Sequence, residues 1–144
     1  MGLDMYLTRG KGNRAEEVGY WRKANAIHNF FVDTIQNGVD DQKAYKVGKK
    51  VFQTLLKKCE ALLEMAGDEG YDHDRDDSAE FKPSDSLAKA CASTLPTCSG
   101  FFFGSTEYNG YYFDDLHYTK ELVSRILEEW KPGEKKNYYY SCWW

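Results

Sequence analysis

Leu3, Met5 and Leu7 alternate with Gly2, Asp4, Tyr6 and Thr8 along GLDMYLT, the two-residue period of a strand with one buried face. The segment GKGNRAEE that follows reads as a turn or loop. From Tyr20 the period lengthens. Trp21, Ala24, Ile27, His28, Phe31 and Ile35 recur at helical spacing, and Asn37-Gly38 supplies a stop. KAYKV has the length of a short edge strand. A second helix is expected from about Lys49 to Ala66, with Val51, Phe52, Leu55, Leu56, Cys59, Leu62, Leu63 and Ala66 as its apolar stripe and Gly67 ending it. PSDSLAKACA predicts a short helix with Pro83 near its first turn. TLPTCSGFFFGST reads as loop and strand. A last helix begins near Tyr112 or Asp114 and buries Leu116, Thr119, Leu122, Val123, Ile126, Leu127 and Trp130, with Asp114 and Asp115 at its positive end. After the turn KPGEKKN, YYYSCWW closes as a strand. Strands near both ends with helices between them predict one α+β domain over residues 1–144, a small, mostly antiparallel sheet packed with three or four helices.

Composition narrows the classes. A chain of 144 residues buries roughly two thirds of its unfolded surface, enough for a true core. No apolar run is long enough for a membrane span, so no membrane partner is expected. MGLDMYLTRGKGNR lacks the apolar core of a signal peptide because Asp4 interrupts it, and a cytoplasmic location is expected. Cysteines stand at positions 59, 91, 98 and 142. No pair forms C-x-x-C and no histidine sits at zinc-ligand spacing, so all four are read as reduced thiols and no metal is assigned. Cys59 falls on the apolar stripe of the second helix, and Cys91 with Cys98 is the pair weighed for a disulfide.

The net charge of −4 is unevenly spread. Asp68 to Glu80 hold seven acids and one arginine without hydrophobic periodicity, so 68–80 reads as an exposed acidic loop. Asp72, Asp74 and Asp76 alternate as in a calcium loop, but Asp77 takes the place of the required glycine and Pro83 that of the closing glutamate. The balance also lacks the basic face of a duplex nucleic-acid binder.

Rings concentrate at two places. Of 23 aromatic residues, 13 fall between Phe101 and Tyr118 or between Tyr138 and Trp144, which is far more than even spacing gives. The phenylalanines are expected in the core. Buried tyrosine hydroxyls need partners, and Tyr138, Tyr139 and Tyr140 must alternate between the faces of a strand. Thr97, Ser99, Ser105, Thr106, Glu107 and Asn109 lie among the rings, and Gly100 and Gly104 permit close backbone approach. Rings for stacking beside hydroxyls and amides suit a base or a sugar-phosphate. GFFFGST is no P-loop, since no lysine precedes Ser105, and Ser99 is no nucleophile elbow. Arg22 and Lys23 lie near the start of the first helix, where donors could converge on an anion, and Arg22, Asn25 or Ala26, and Asn29 share one side of it. The candidate ligand-binding set is therefore Arg22, Lys23, Asn25, Ser99, Ser105, Thr106, Glu107, Tyr108 and Tyr139. His28 lies on the apolar stripe and is expected to be a hydrogen-bonded core residue. No catalytic residue or cofactor is assigned. The available acid/base pairing is Glu107 with Asp114 or Asp115, and Glu107 and His28 are the candidates were the chain an enzyme.

MGLDMYL, YWRKANAIHNFFV, LPTCSGFFFGSTEYNGYYFDDL and YYYS together resemble a family of small bacteriophage and prophage proteins. The resemblance covers nearly the whole chain apart from the acidic loop, which looks like an insertion. The family's usual central phrase is PTQSGFFFGSTEYDEWY and its end often YYQSSW. Here Cys98 replaces the glutamine and Asn109-Gly110 the acidic pair, which puts any ligand contact made by that glutamine in doubt. The resemblance implies a phage setting, in the cytoplasm of an infected bacterium, and no particular reaction. A binding role is expected there: sequestration of a nucleotide-derived defence signal by the ring-and-hydroxyl cluster. The alternatives are direct inhibition of a host defence protein, in the manner of an anti-CRISPR, with the acidic loop as docking surface, or an enzyme degrading such a signal. Exposed aromatics are compatible with a homo-oligomer.

Overall fold

The computed structural model describes residues 2–10, 12–100 and 103–144. Phe101 and Phe102 of the ring-rich stretch lie outside them. Four strands form one antiparallel sheet: β1 (Asp4–Arg9), β2 (Glu16–Arg22), β3 (Tyr45–Val47) and β4 (Tyr138–Trp143), in the spatial order β2-β1-β4-β3. Four helices join them: α1 (Asn25–Ile35), α2 (Lys49–Asp68), α3 (Asp85–Thr94) and α4 (Gly110–Glu128). The fold is α+β, and β3 is an edge strand as its length predicts.

Register decides which side chains meet. Met5 lies opposite Trp21 on one side and Cys142 on the other, and Leu7 lies opposite Gly19 and Tyr140. These residues are all buried, and they share the face that the helices cover. Phe31 of α1 stacks on Tyr140 with ring centroids 4.2 Å apart. Phe52 of α2 meets Tyr138 edge-on at 5.5 Å. Trp21 donates from Nε1 to Thr119 Oγ1 of α4 at 2.9 Å. The intervening residues Tyr6, Tyr20 and Tyr139 point to the other face, where they are partly or largely exposed. Tyr138 and Tyr140 are in the core and Tyr139 is outside it, the alternation that three consecutive tyrosines on a strand require.

Strand β2 departs from the expected loop and helix start. Trp21 and Ala24 fit helical spacing by coincidence, while Glu16, Glu17 and Gly19 carry little strand propensity. Gly19 is needed for packing: a Cβ there would lie 2.4 Å from Leu122 Cδ2 of α4. The chain then turns at Lys23, which has φ 57°, and α1 begins only at Asn25. Arg22 therefore stands on a strand, and the helical alignment of Arg22 with Asn25 and Asn29 does not exist. The strand expected within 95–106 is also absent among the described residues. Helix α4 begins at Gly110 rather than near Tyr112, because the Asn109 side chain accepts from Tyr112 N and caps it.

The acidic segment is more tightly held than its composition predicts. Its first residue, Asp68, ends α2. Tyr71 packs on Phe81 and Phe113. The Tyr71 hydroxyl donates to Asp114 Oδ1 at 2.6 Å and Ser78 Oγ to Asp114 Oδ2 at 2.5 Å. The carboxylates themselves face solvent or lie half-buried. All four cysteines are free, Cys91 and Cys98 included. No helix among the described residues is long and apolar enough to cross a membrane.

Candidate functional site

Among the described residues between Leu95 and Asn109, none pairs with a strand, so side chains must satisfy much of the backbone there. Asn25 does most of this. Its Nδ2 donates to Phe103 O at 3.0 Å and Ser105 O at 2.8 Å, and its Oδ1 accepts from Cys98 N at 3.2 Å. Thr97 N donates to the Tyr108 hydroxyl and Thr97 Oγ1 to Thr106 O. The buried Tyr112 hydroxyl donates to Leu95 O at 2.7 Å, and burial pushes its pKa well above the tyrosine value.

Held in this way, the loop stands off the N-terminal ends of α1 and α4 and leaves a cleft of about 370 Å³. Arg22 at the end of β2, Lys23 in the turn after it, and Ala26 and Ile27 at the start of α1 line it on one side, Thr97, Gly104, Ser105 and Glu107 line it from the loop, and Tyr111, Asp114 and Asp115 from α4. Ala24 occupies the N-cap of α1 and caps nothing with its side chain, so the first-turn amides of the helix add partial positive charge beside Lys23. Gly104, at φ +87°, is packed with a Cβ position only 3.1 Å from Lys23 Cβ. A side chain there would push against Lys23 and strain the backbone.

The acids of the cleft are unequal. Asp114 is engaged by Tyr71 and Ser78. Burial, together with the charge of Asp114, pushes the Asp115 carboxyl up to about 7. Near neutral pH it is therefore present both as an acceptor and as a proton donor. Glu107 is exposed, and its amide donates to Ser105 Oγ at 3.0 Å.

Of the residues expected at a binding site, the cleft gathers Arg22, Lys23, Asn25, Ser105 and Glu107. The Arg22 guanidinium reaches away to Asp4, 3.0 Å from Oδ1, beside the Tyr20 hydroxyl on the same carboxylate. Asn25 is buried and occupied by the loop. Ser99 and Thr106 are exposed but line no part of the cleft, and Tyr108 lies behind the loop with its ring on Tyr112. Tyr139 is on the opposite face of the sheet, paired with Thr8 and Lys46. Tyr111 is the ring that sequence reasoning did not select. The signal for it was the Asn109 cap, which sets the helix phase two residues earlier and turns Tyr111 outward, 58% exposed. His28 is fully buried and does not line the cleft, so it and Glu107 form no pair.

Groups of side chains able to share a metal ion occur outside this cleft: His28 with Asp40 and Cys142, and the exposed series Asp72, His73 and Asp74. Compared with protein-family models, curated proteins and solved structures, the chain matches none.

Proposed function

We propose that the protein acts by binding, and that the cleft between α1 and α4 holds a nucleotide-like small molecule. The observation that carries this reading is the set of groups that meet there. Lys23 and the uncapped start of α1 suit a phosphate. Ser105, Glu107 and the partly protonated Asp115 suit the hydroxyls of a ribose or the edge of a base. Tyr111 offers a ring for stacking at the rim. A volume of about 370 Å³ accommodates about one mononucleotide unit, so a dinucleotide or cyclic oligonucleotide would extend past Tyr111. The three carboxylates disfavour a polyphosphate, whose charge they would repel. In the phage setting that the sequence resemblance implies, such a binder sequesters a nucleotide-derived defence signal.

The test is calorimetry of the protein with nucleoside monophosphates, cyclic di- and trinucleotides and ADP-ribose derivatives, with mass spectrometry of the recovered ligand. One member should bind and return unaltered, and Lys23→Ala and Tyr111→Ala should each weaken it by about tenfold, the effect of losing one charge-assisted or stacking contact. Absence of heat from every member would remove the reading. Turnover of a bound member would instead favour the enzymatic alternative, which rests on Asp115 as a group able to give and take a proton near neutral pH.

A further inference from the structure

His28, Asp40 and Cys142 are separated along the chain by 12 and 102 positions, so no spacing rule links them. The fold nevertheless gathers their donor atoms. His28 Nε2 lies 3.0 Å from Asp40 Oδ2, and with Cys142 Sγ the three residues each offer a donor atom within 4.8 Å of the others. His28 and Cys142 are buried, whereas the Asp40 side chain is 34% exposed. One imidazole, one carboxylate and one thiol, closed on the protein side and open to solvent on the other, form a donor set of the kind that holds zinc.

We propose that His28, Asp40 and Cys142 form a binding site for a divalent transition metal of the zinc class, with a fourth position open to water. Tetrahedral zinc, with bonds of about 2.0–2.3 Å, sets its ligand atoms roughly 3.3–3.7 Å apart. The His28–Asp40 separation must open slightly and the sulfur must close, shifts of about an ångström or less. The surroundings already orient two ligands. Trp144 Nε1 donates to Asp40 Oδ1 at 3.1 Å, which leaves Oδ2 toward the imidazole. The Tyr140 hydroxyl is 2.5 Å from His28 Nδ1. With metal on Nε2 the ring proton resides on Nδ1 and donates to Tyr140 Oη, the outer contact a ligating histidine requires. The Cys142 thiol, which donates to Asp41 O at 3.3 Å, gives its proton to solvent as the Sγ–metal bond forms. None of the three residues lines the cleft, and the proposal does not rest on what the cleft binds.

Cobalt(II) is the probe, because a thiolate on cobalt gives a charge-transfer band in the near ultraviolet that oxygen and nitrogen ligands do not. Titration of the reduced, metal-free protein should show that band saturating at one equivalent, and zinc should abolish it by displacement and raise the melting temperature. Cys142→Ser should remove the band, and Asp40→Asn, a near-isosteric change at a partly exposed side chain, should weaken cobalt by about tenfold or more. Circular dichroism of each variant establishes that it is folded. No band from the wild type would overturn the proposal, as would a band of full intensity in Cys142→Ser or affinity unchanged in Asp40→Asn. The trio would then be a hydrogen-bonded chain from Tyr140 through His28 to Asp40, beside a core thiol. Should Cys142→Ser not fold, Asp40→Asn decides alone.

Discussion

Asn25 shows how one side chain can hold a segment whose described residues belong to no helix or strand. It is 3% exposed, and its carboxamide meets three backbone groups of the loop, Phe103 O, Ser105 O and Cys98 N. Removing it leaves those groups without their partner, Phe103 O in a buried place and the other two partly buried, and an unsatisfied buried group costs about 1–3 kcal/mol. Asn25→Ala is therefore expected to lower unfolding free energy in urea by about 2–4 kcal/mol and to abolish ligand binding in the cleft. Asn25→Asp keeps the acceptor for Cys98 N and turns the donor that faces two carbonyls into an acceptor, so it should be no better tolerated. A variant that binds and unfolds like the wild type would show that the loop is held by its other contacts, chiefly Thr97 to Thr106 and Tyr112 to Leu95.

At the scale of elements, the acidic segment and the start of α4 form a unit. Gly110, the first residue of α4, lies so close to the segment that a Cβ would fall 2.1 Å from Ser78 O. Backbone cannot yield as a side-chain tip can, so Gly110→Ala must displace one element from the other. It is expected to cost about 1–3 kcal/mol, read as a lower urea midpoint, and to increase amide exchange in residues 71–81. Unchanged exchange there would mean that the segment is fixed by Tyr71 and Phe81 alone. The same elements show what was legible in the sequence. Long periodic helices declared themselves: α2 runs to Asp68 where its stripe and Gly67 foretell an end. The terminal strands were equally plain, since Leu3, Met5 and Leu7 alternate. Strand β2 was hidden because its partner relation to α4, through Gly19 and Leu122, is tertiary and leaves no period. For the cleft, residue types near the start of α1 and in the loop were informative, whereas its α4 wall required the helix phase that Asn109 sets. The donor set of His28, Asp40 and Cys142 was illegible because its members come from α1, the segment after it and β4, and tertiary packing, not spacing, brings them together.

Across the whole molecule, two groups should make stability depend on pH in opposite directions. Asp115 has its folded pKa raised to about 7 by burial and Asp114, against roughly 3.9 in an unfolded chain. Its contribution is complete below about pH 4 and is lost as pH rises through 7, because the unfolded state releases the proton first. His117 is stacked on His73 with ring centroids 3.4 Å apart. Burial and the neighbouring His73 lower its pKa, opposed in part by Glu121 and Asp74. Its contribution is present above an unfolded value of roughly 6.5 and is lost on acidification. Between about pH 4 and 7 the two therefore oppose each other, and above that neither changes stability further, because each group then has the same protonation state in the folded and the unfolded chain. Asp115→Asn isolates the larger effect. Its melting temperature should exceed that of the wild type at pH 8, the difference should shrink steadily as pH falls, and it should vanish near pH 4. A difference that stays constant over that range would mean that Asp115 titrates alike in the folded and unfolded chain. The cleft would then lack the proton donor that distinguishes it from an ordinary acidic surface.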